Sequence, residues 1–233
     1  MQLSKRLQAV ADMVTPGNRL ADVGTDHGYV PIWLYEAGRV PSAIAMDLRE
    51  GPLSRARENI QMHHLEDVIE TRLSDGLARL SAGEADSVVI AGMGGMLMRK
   101  ILEEGQAVLP SLKELILQPQ SDLAAVRMYL KEQGFMICRE DMVFEDGKYY
   151  PVIRAVHGEN TDDRPIWFLY GRYLLEHRHP VLEKYLLKEK AQHTKLSEQL
   201  RFTQTETGRH RREELTVEDR LIDEALAYYK TEK

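Results

Sequence analysis

The sequence predicts an α/β fold: a doubly wound, mostly parallel sheet of seven strands whose last hairpin is antiparallel, followed by a helical hairpin. Three observations lead there. Short apolar runs alternate with amphipathic stretches from the start of the chain to about Gln133, the pattern of strands crossed over by helices. Two successive strand-like runs, joined by a turn at Asp146-Gly147, then close the series as a hairpin. Beyond residue 160 only helical periodicity remains.

Residues 1–14 open with Leu3, Leu7, Val10 and Val14 at helical spacing. The first strand is expected at Arg19–Gly24 and a short helix at Tyr29–Ala37. A second strand follows at Ala43–Leu48 and a helix at Pro52–Met62, which keeps Arg55, Glu58 and Asn59 outside. The third and fourth strands are expected at Ile69–Leu73 and Ser87–Ala91, with a helix at Met96–Glu104. Glu114–Gln118 reads as the fifth strand. Leu123–Gln133 reads as a helix, closed by Gly134 in a left-handed cap. Phe135–Phe144 and Tyr150–His157 are the hairpin strands.

The polar stretch 158–164 marks a boundary, giving expected domains at 1–160 and 161–233. Pro165 suits the first turn of a helix. Helical pattern runs on to about Thr207 with a break at Pro180. Gly208 and Arg209–Arg212 are expected to form a turn. A last helix is then opened by a capping-box variant from Thr216 to Asp219, with Leu221, Ile222, Ala225, Leu226 and Tyr229 on one face.

Composition narrows the class. With 233 residues, 43% hydrophobic and 29% charged, the chain is an ordinary globular protein. It shows no signal-peptide pattern and no long apolar run suited to a membrane, and a cytoplasmic location is expected. The single cysteine, Cys138, excludes an internal disulfide and a cysteine-cluster zinc site, and no metal is expected. The net charge of −6 does not announce nucleic-acid binding, although the acidic excess lies in the front domain and the last 70 residues are slightly basic.

The chemistry-bearing residues gather at strand ends. Ligands of open α/β sheets bind there, near the topological switch point. Asp22-Val23-Gly24-Thr25-Asp26-His27-Gly28 ends the first strand; Gly24 allows close backbone approach and Gly28 opens the helix. Asp47 ends the second strand, 25 residues after Asp22, where an acid can accept two ribose hydroxyls. Ser74-Asp75-Gly76 ends the third strand, placing a carboxylate suited to an exocyclic adenine amine. Ala91-Gly92-Met93-Gly94-Gly95 ends the fourth. A dinucleotide site favours Gly-x-Gly-x-x-Gly, so that a helix N-terminus meets a pyrophosphate. Here Asp22 and Asp26 flank one glycine and would repel that pyrophosphate. A sulfonium or an amino group tolerates them, which favours S-adenosylmethionine over NAD.

Asp22–Gly28 (DVGTDHG), Ala45–Leu48 (AMDL), Ser74–Gly76 (SDG), Ile90–Gly95 (IAGMGG) and Leu117–Gln120 (LQPQ) resemble the bacterial TrmK family over essentially the whole chain. The resemblance implies a Rossmann-like class I methyltransferase that transfers a methyl group from S-adenosylmethionine to N1 of adenine 22 in tRNA. By carry-over it implies cofactor contacts from Asp22, Gly24, Thr25, Gly28, Asp47, Leu48, Asp75, Gly76, Gly92 and Met93. The helical hairpin 161–233 is typical of the same family.

The residues are compatible with a ring nitrogen as nucleophile. Enzymes that methylate an exocyclic amine commonly carry an Asn/Asp-Pro-Pro-aromatic motif after strand four, where this chain reads Ala91-Gly92-Met93-Gly94-Gly95. Adenine N1 has an in-plane lone pair and needs no deprotonation, so alignment is the main requirement. Asp26 is the candidate for favouring the developing positive charge, with helix capping as its structural alternative. His27 is the candidate for orienting the base, or else a structural residue. N1 lies on the Watson–Crick edge, so a paired adenine must first be exposed. Tyr29, Trp33 and Met93 offer stacking surfaces, although Trp33 on a helix also suits the core. Gln118-Pro119-Gln120 follows the fifth strand beside the expected pocket and is a candidate for a substrate role. Arg209, Arg211 and Arg212 are candidates for gripping tRNA phosphates, with a solvated turn as the alternative. A monomer is favoured. A methyltransferase of a small molecule or protein, a non-catalytic RNA-binding module and a dehydrogenase remain as alternatives.

Overall fold

A computed structural model describes residues 1–161, 163–201, 203 and 205–230. Two compact units divide at Asn160/Thr161. The first unit contains α1 (Lys5–Met13), β1 (Leu20–Val23), α2 (Tyr29–Glu36), β2 (Ala43–Asp47), α3 (Glu50–Met62), β3 (Ile69–Leu73) and β4 (Ser87–Met93). It continues through α4 (Gly95–Glu104), β5 (Glu114–Pro119), α5 (Leu123–Glu132), β6 (Phe135–Glu145) and β7 (Lys148–His157).

One seven-stranded sheet has the order β3-β2-β1-β4-β5-β7-β6. β1 pairs in parallel with β2 on one side and β4 on the other. β7 pairs antiparallel with β5 and with β6. The seven-strand sheet with an antiparallel final hairpin is as the sequence leads one to expect. Chain order reverses between β1 and β4, leaving a crevice at their carboxyl ends.

Alternate residues of each strand feed two cores. Ala21, Val88, Ile90, Leu115 and Leu117 face a layer that includes Met98 and Leu102 of α4 and Val126 and Leu130 of α5. Leu20, Ala45, Val89 and Ile116 face the opposite layer, with Val10 of α1, Ile32 of α2 and Ile60 of α3. β1 and β5 are buried throughout, as strands covered on both faces should be.

One buried ion pair stitches α5 to the sheet edge. Arg127 Nε meets Glu140 Oε1 at 2.9 Å, and both side chains are at most 2% exposed. Glu140 stands on β6 opposite Ile153 of β7, just past a register shift between Ile137 and Arg139.

The second unit is helical: α6 (Pro165–Tyr170), α7 (Arg172–Glu176), α8 (Pro180–Leu200) and α9 (Glu206–Ala227). α8 and α9 pack through Leu182, Leu186, Leu215, Ile222 and Ala225, all buried. They run antiparallel, with His193 meeting Asp219 at 3.1 Å and Lys190 meeting Asp223.

The expected turn at Gly208–Arg212 is corrected here, because these residues lie in the first turns of α9. The helix begins earlier than its apolar face suggests. Thr205 supplies the N-cap and accepts from the Gly208 N–H at 3.2 Å. Gly208 is tucked so closely against Thr203 that a Cβ there would lie 2.4 Å from its Cγ2. Thr216 is consequently inside the helix, where its hydroxyl donates back to Arg212 O at 2.8 Å.

Replacing Arg127 with Met should strand the Glu140 charge in the interior. The expected loss is about 3–5 kcal/mol of unfolding free energy, measured by urea denaturation. A loss below about 1 kcal/mol would mean that the pair is dispensable.

Candidate active site

The crevice at the switch point contains a cavity of about 430 Å³, within the roughly 300–1,000 Å³ typical of small-molecule sites. Its walls come from successive strand ends. Asp47 stands at β2, Asp22 and Gly24 at β1, Gly92 and Met93 at β4, and Gln120 just past β5. Asp26, His27 and Tyr29 add the loop and first turn after β1, and Arg6 reaches in from α1.

The β1 loop is bent back over its neighbour. Gly24 and Thr25 both donate their N–H to Met46 O, at 2.8 and 2.9 Å. Gly24 has φ +76°, and a Cβ there would fall 2.0 Å from Met93 Cε. The bare backbone at Gly24 therefore forms a cradle that any side chain would fill.

Asp22 is 6% exposed. Burial pushes its carboxyl up to about 6, and the nearby Asp47 charge acts in the same direction. The Thr25 hydroxyl partly opposes the shift, although it makes no hydrogen bond of ordinary geometry. Asp47 uses Oδ1 to accept from Arg49 N at 2.7 Å and so holds the turn into α3.

Asp26 does not cap α2; Gly28, with φ +67°, occupies the N-cap position. Asp26 Oδ1 instead lies 3.0 Å from Arg55 Nη2 and 3.6 Å from His27 Nε2. The His27 ring stacks on Tyr29 at 5.0 Å with planes 7° apart. Its backbone has φ +63°, and its carbonyl accepts from Asn59 Nδ2 at 2.8 Å. Trp33 packs partly buried against the core below α2.

The β4 end is laced to the β5 end. A bulge between Ala91 and Met93 turns Gly92 out of the ladder, with φ +78°. The freed Gly92 N–H donates to Gln118 Oε1 at 3.1 Å, and Arg6 Nη1 donates to the same oxygen at 3.0 Å. Gln120 N donates to Met93 O at 2.8 Å, and Gly95 N donates to Ser121 Oγ at 3.3 Å. Gln118 is fully buried and stands behind the wall rather than on it.

The structure thus brings Asp22, Gly24, Asp26, His27, Tyr29, Asp47, Gly92 and Met93 together around one cavity. Thr25 is buried and Gly28 packs toward Ala56, both off the wall. Leu48 is 62% exposed beside Asp47. Asp75 is exposed at the end of β3, and Gly76 packs against Ile101. Arg209, Arg211 and Arg212 belong to the helical unit. Arg209 is exposed, Arg211 meets Glu214 and Glu218 at 2.8 and 3.1 Å, and Arg212 donates to Arg201 O. Arg6, Arg49 and Arg55 are wall residues that the sequence reading did not single out for the site, and of the Gln118-Pro119-Gln120 segment it is Gln120 that reaches the wall. Arg6 had only an amphipathic helix to advertise it.

The wall fits an adenosyl–amino-acid cofactor. A buried carboxyl that resists ionisation on its own suits an ammonium partner, Asp47 has an oxygen left to accept hydroxyls, and the Gly24 cradle admits a close ligand. Among the described residues no cluster of His, Cys, Asp and Glu is arranged to hold a metal. No helix among them is long and apolar enough to cross a membrane.

Comparison with known proteins agrees with this geometry. A family model described as a methyltransferase domain matches residues 3–153. The tRNA (adenine(22)-N(1))-methyltransferase of Bacillus subtilis (strain 168) is 33% identical, over 97% of this chain and 98% of its own length. The crystal structure of the B. subtilis m1A22 tRNA methyltransferase TrmK aligns with TM-score 0.88 at 32% identity, covering 97% and 98% of the two chains. A Streptococcus pneumoniae protein solved in complex with S-adenosyl-L-methionine aligns with TM-score 0.85 at 35% identity, covering 97% and 100%.

Asp22 holds its proton to about pH 6 in the folded chain, whereas an ordinary aspartate releases it near 3.8. Between those values the folded state binds more protons than the unfolded one, so this group's contribution to stability falls as pH rises through the window. Asp22→Asn removes the penalty, of order 3 kcal/mol once both states have ionised. Scanning calorimetry of the ligand-free proteins should show the variant gaining on the wild type from about pH 4 to about pH 6.5. A difference in melting temperature that does not change with pH would contradict the shift.

Proposed function

The chain belongs to the tRNA (adenine(22)-N(1))-methyltransferase family within the methyltransferase-domain proteins, and on that premise we propose how its own residues carry out the transfer. The protein transfers a methyl group from S-adenosylmethionine to N1 of adenine 22 in tRNA. The observation that carries this reading is the cavity at the β1/β4 crevice, in which a buried high-pKa carboxyl, a second carboxylate and a bare glycine backbone face one space.

S-adenosylmethionine supplies an electrophilic methyl group on a sulfonium centre. Asp22 and the Gly24 backbone are assigned to its amino-acid end, and Asp47 to its ribose. Leu48, Asp75 and Gly76, at the neighbouring ends of β2 and β3, extend the same row toward its adenine. Thr25 and Gly28 support the loop that carries Gly24, and Gly92 and Met93 close the opposite side.

The attacking nitrogen brings its own lone pair, and the product is a cation, so no proton has to leave N1. The chain must hold the base in line and favour positive charge. Asp26 is placed on the wall to favour that charge, and Arg55 fixes one of its oxygens. His27, stacked on Tyr29, offers a flat, edge-polar surface that orients the base. Gln118 acts through Gly92 and Arg6, which it holds in place.

The domain at 1–160 is assigned to the cofactor and the chemistry. The helical unit at 161–233, with Arg209, Arg211 and Arg212, is assigned to tRNA phosphates. Arg211 would then exchange carboxylate partners for phosphate. The reaction needs tRNA and S-adenosylmethionine together, which is consistent with the cytoplasm, and one chain holds the whole cavity, which suits a monomer.

Labelled S-adenosylmethionine incubated with unmodified tRNA should yield N1-methyladenosine at position 22 by nucleoside mapping. Cofactor binding without transfer to any tRNA would reject the substrate while keeping the cofactor. Asp26→Ala should lower kcat by about tenfold or more while cofactor affinity, by calorimetry, stays within about twofold. Unchanged turnover would remove Asp26 from the mechanism.

A further inference from the structure

The missing side chain of Gly92 leaves a notch in the cavity wall. A Cβ placed there would lie 3.4 Å from Arg6 Nη1 and 3.9 Å from Gln120 Nε2. The two flanks differ in freedom. Arg6 is fixed: Gln118 accepts from its guanidinium, and the Tyr150 ring lies under it at 5.5 Å. Gln120 is held only by its backbone, through Met93 O. Its amide has no hydrogen-bond partner among the described residues, although it stands on the wall of the cavity.

Position along the sheet says which part of the reaction the notch faces. The carboxylates Asp47 and Asp22 lie over β2 and β1, whereas Gly92 and Gln120 lie over β4 and β5. The notch therefore borders the half of the crevice left to the acceptor when the donor occupies the carboxylate half. An adenine presenting N1 for attack has its N6–H donor and N7 acceptor still to be read. A glutamine amide offers an acceptor beside a donor, which matches that pair with two hydrogen bonds. Guanine offers two acceptors, O6 and N7, and one of them would face the amide oxygen.

We propose that Gln120 is a specificity-determining residue whose amide reads the N6/N7 edge of the target adenine across the Gly92 notch, with the fixed Arg6 as the opposite wall. The proposal rests on the methyl-transfer reading above. It narrows the substrate role of the Gln118-Pro119-Gln120 segment to Gln120, and leaves the buried Gln118 to position Arg6 and Gly92.

The test pairs a protein variant with a nucleobase variant. Gln120→Met keeps the length and removes the amide, and tRNA carrying 7-deazaadenosine at position 22 lacks N7 while keeping N1. On the unaltered protein the 7-deaza substrate should lower kcat/KM by roughly tenfold, and Gln120→Met should lower it by roughly ten- to a hundredfold on ordinary tRNA. Combined, the two changes should cost little more than the protein change alone, because the same contact is lost. S-adenosylmethionine affinity of Gln120→Met should stay within about twofold. Multiplying losses, full activity of Gln120→Met, or a parallel loss of cofactor binding would each overturn the proposal. Absence of transfer by the unaltered protein to ordinary tRNA would overturn the activity itself, a distinct result that takes this proposal down with it.

Discussion

The site depends on one topological constraint, the reversal of chain order between β1 and β4. Because β1 is parallel to both neighbours, the connections from its end and from the end of β4 leave in opposite directions across the sheet. Those two connections leave the space between them open. The row of strand ends then becomes a row of functional positions, with Asp47, Asp22, Gly92 and Gln120 in the order β2, β1, β4, β5. The two cores beneath, fed by alternate residues of the same strands, keep those ends in register.

Within that row, charge and backbone freedom are divided. The β1/β2 side carries carboxyls, one of them buried enough to stay protonated to about pH 6 until a cation arrives. The β4/β5 side carries neutral amides and one guanidinium held by its neighbours. A reaction between a cationic donor and a neutral heteroaromatic acceptor matches that division. Each half is suited to a different partner, and the glycines at 24 and 92 let both partners approach the backbone.

Much of this was legible in the sequence because period and punctuation act locally. Strands buried on both faces read as apolar runs, and each of the four key strands ends in an Asp or Gly that apolar packing would not select. The helical unit was less legible. Its last helix starts at a Thr205 cap and carries Arg209–Arg212 on its first turns, where the apolar face is thin and a basic run preceded by glycine mimics a turn. In the site, the bulge at Gly92 was the hidden element. It frees the Gly92 N–H for the buried Gln118 amide, while Gln120, just past the end of β5, lines the wall. Arg6 was hidden for another reason: its role is a long-range contact between α1 and β5, and no local spacing encodes that.

The lacing of the β4 and β5 loops has a thermodynamic consequence. Gly92, Gly95 and Gln120 each spend a backbone N–H on the other loop, so neither loop can open without stripping the other of its partners. The pair behaves as a single rigid body, and its conformational entropy is lost when the chain folds rather than when a nucleotide arrives. What remains free at the mouth is side-chain rotation, a few rotamers of Met93 and Gln120. A flexible macromolecular substrate that must surrender its own stacking to enter is thereby met by a surface with little disorder left to lose.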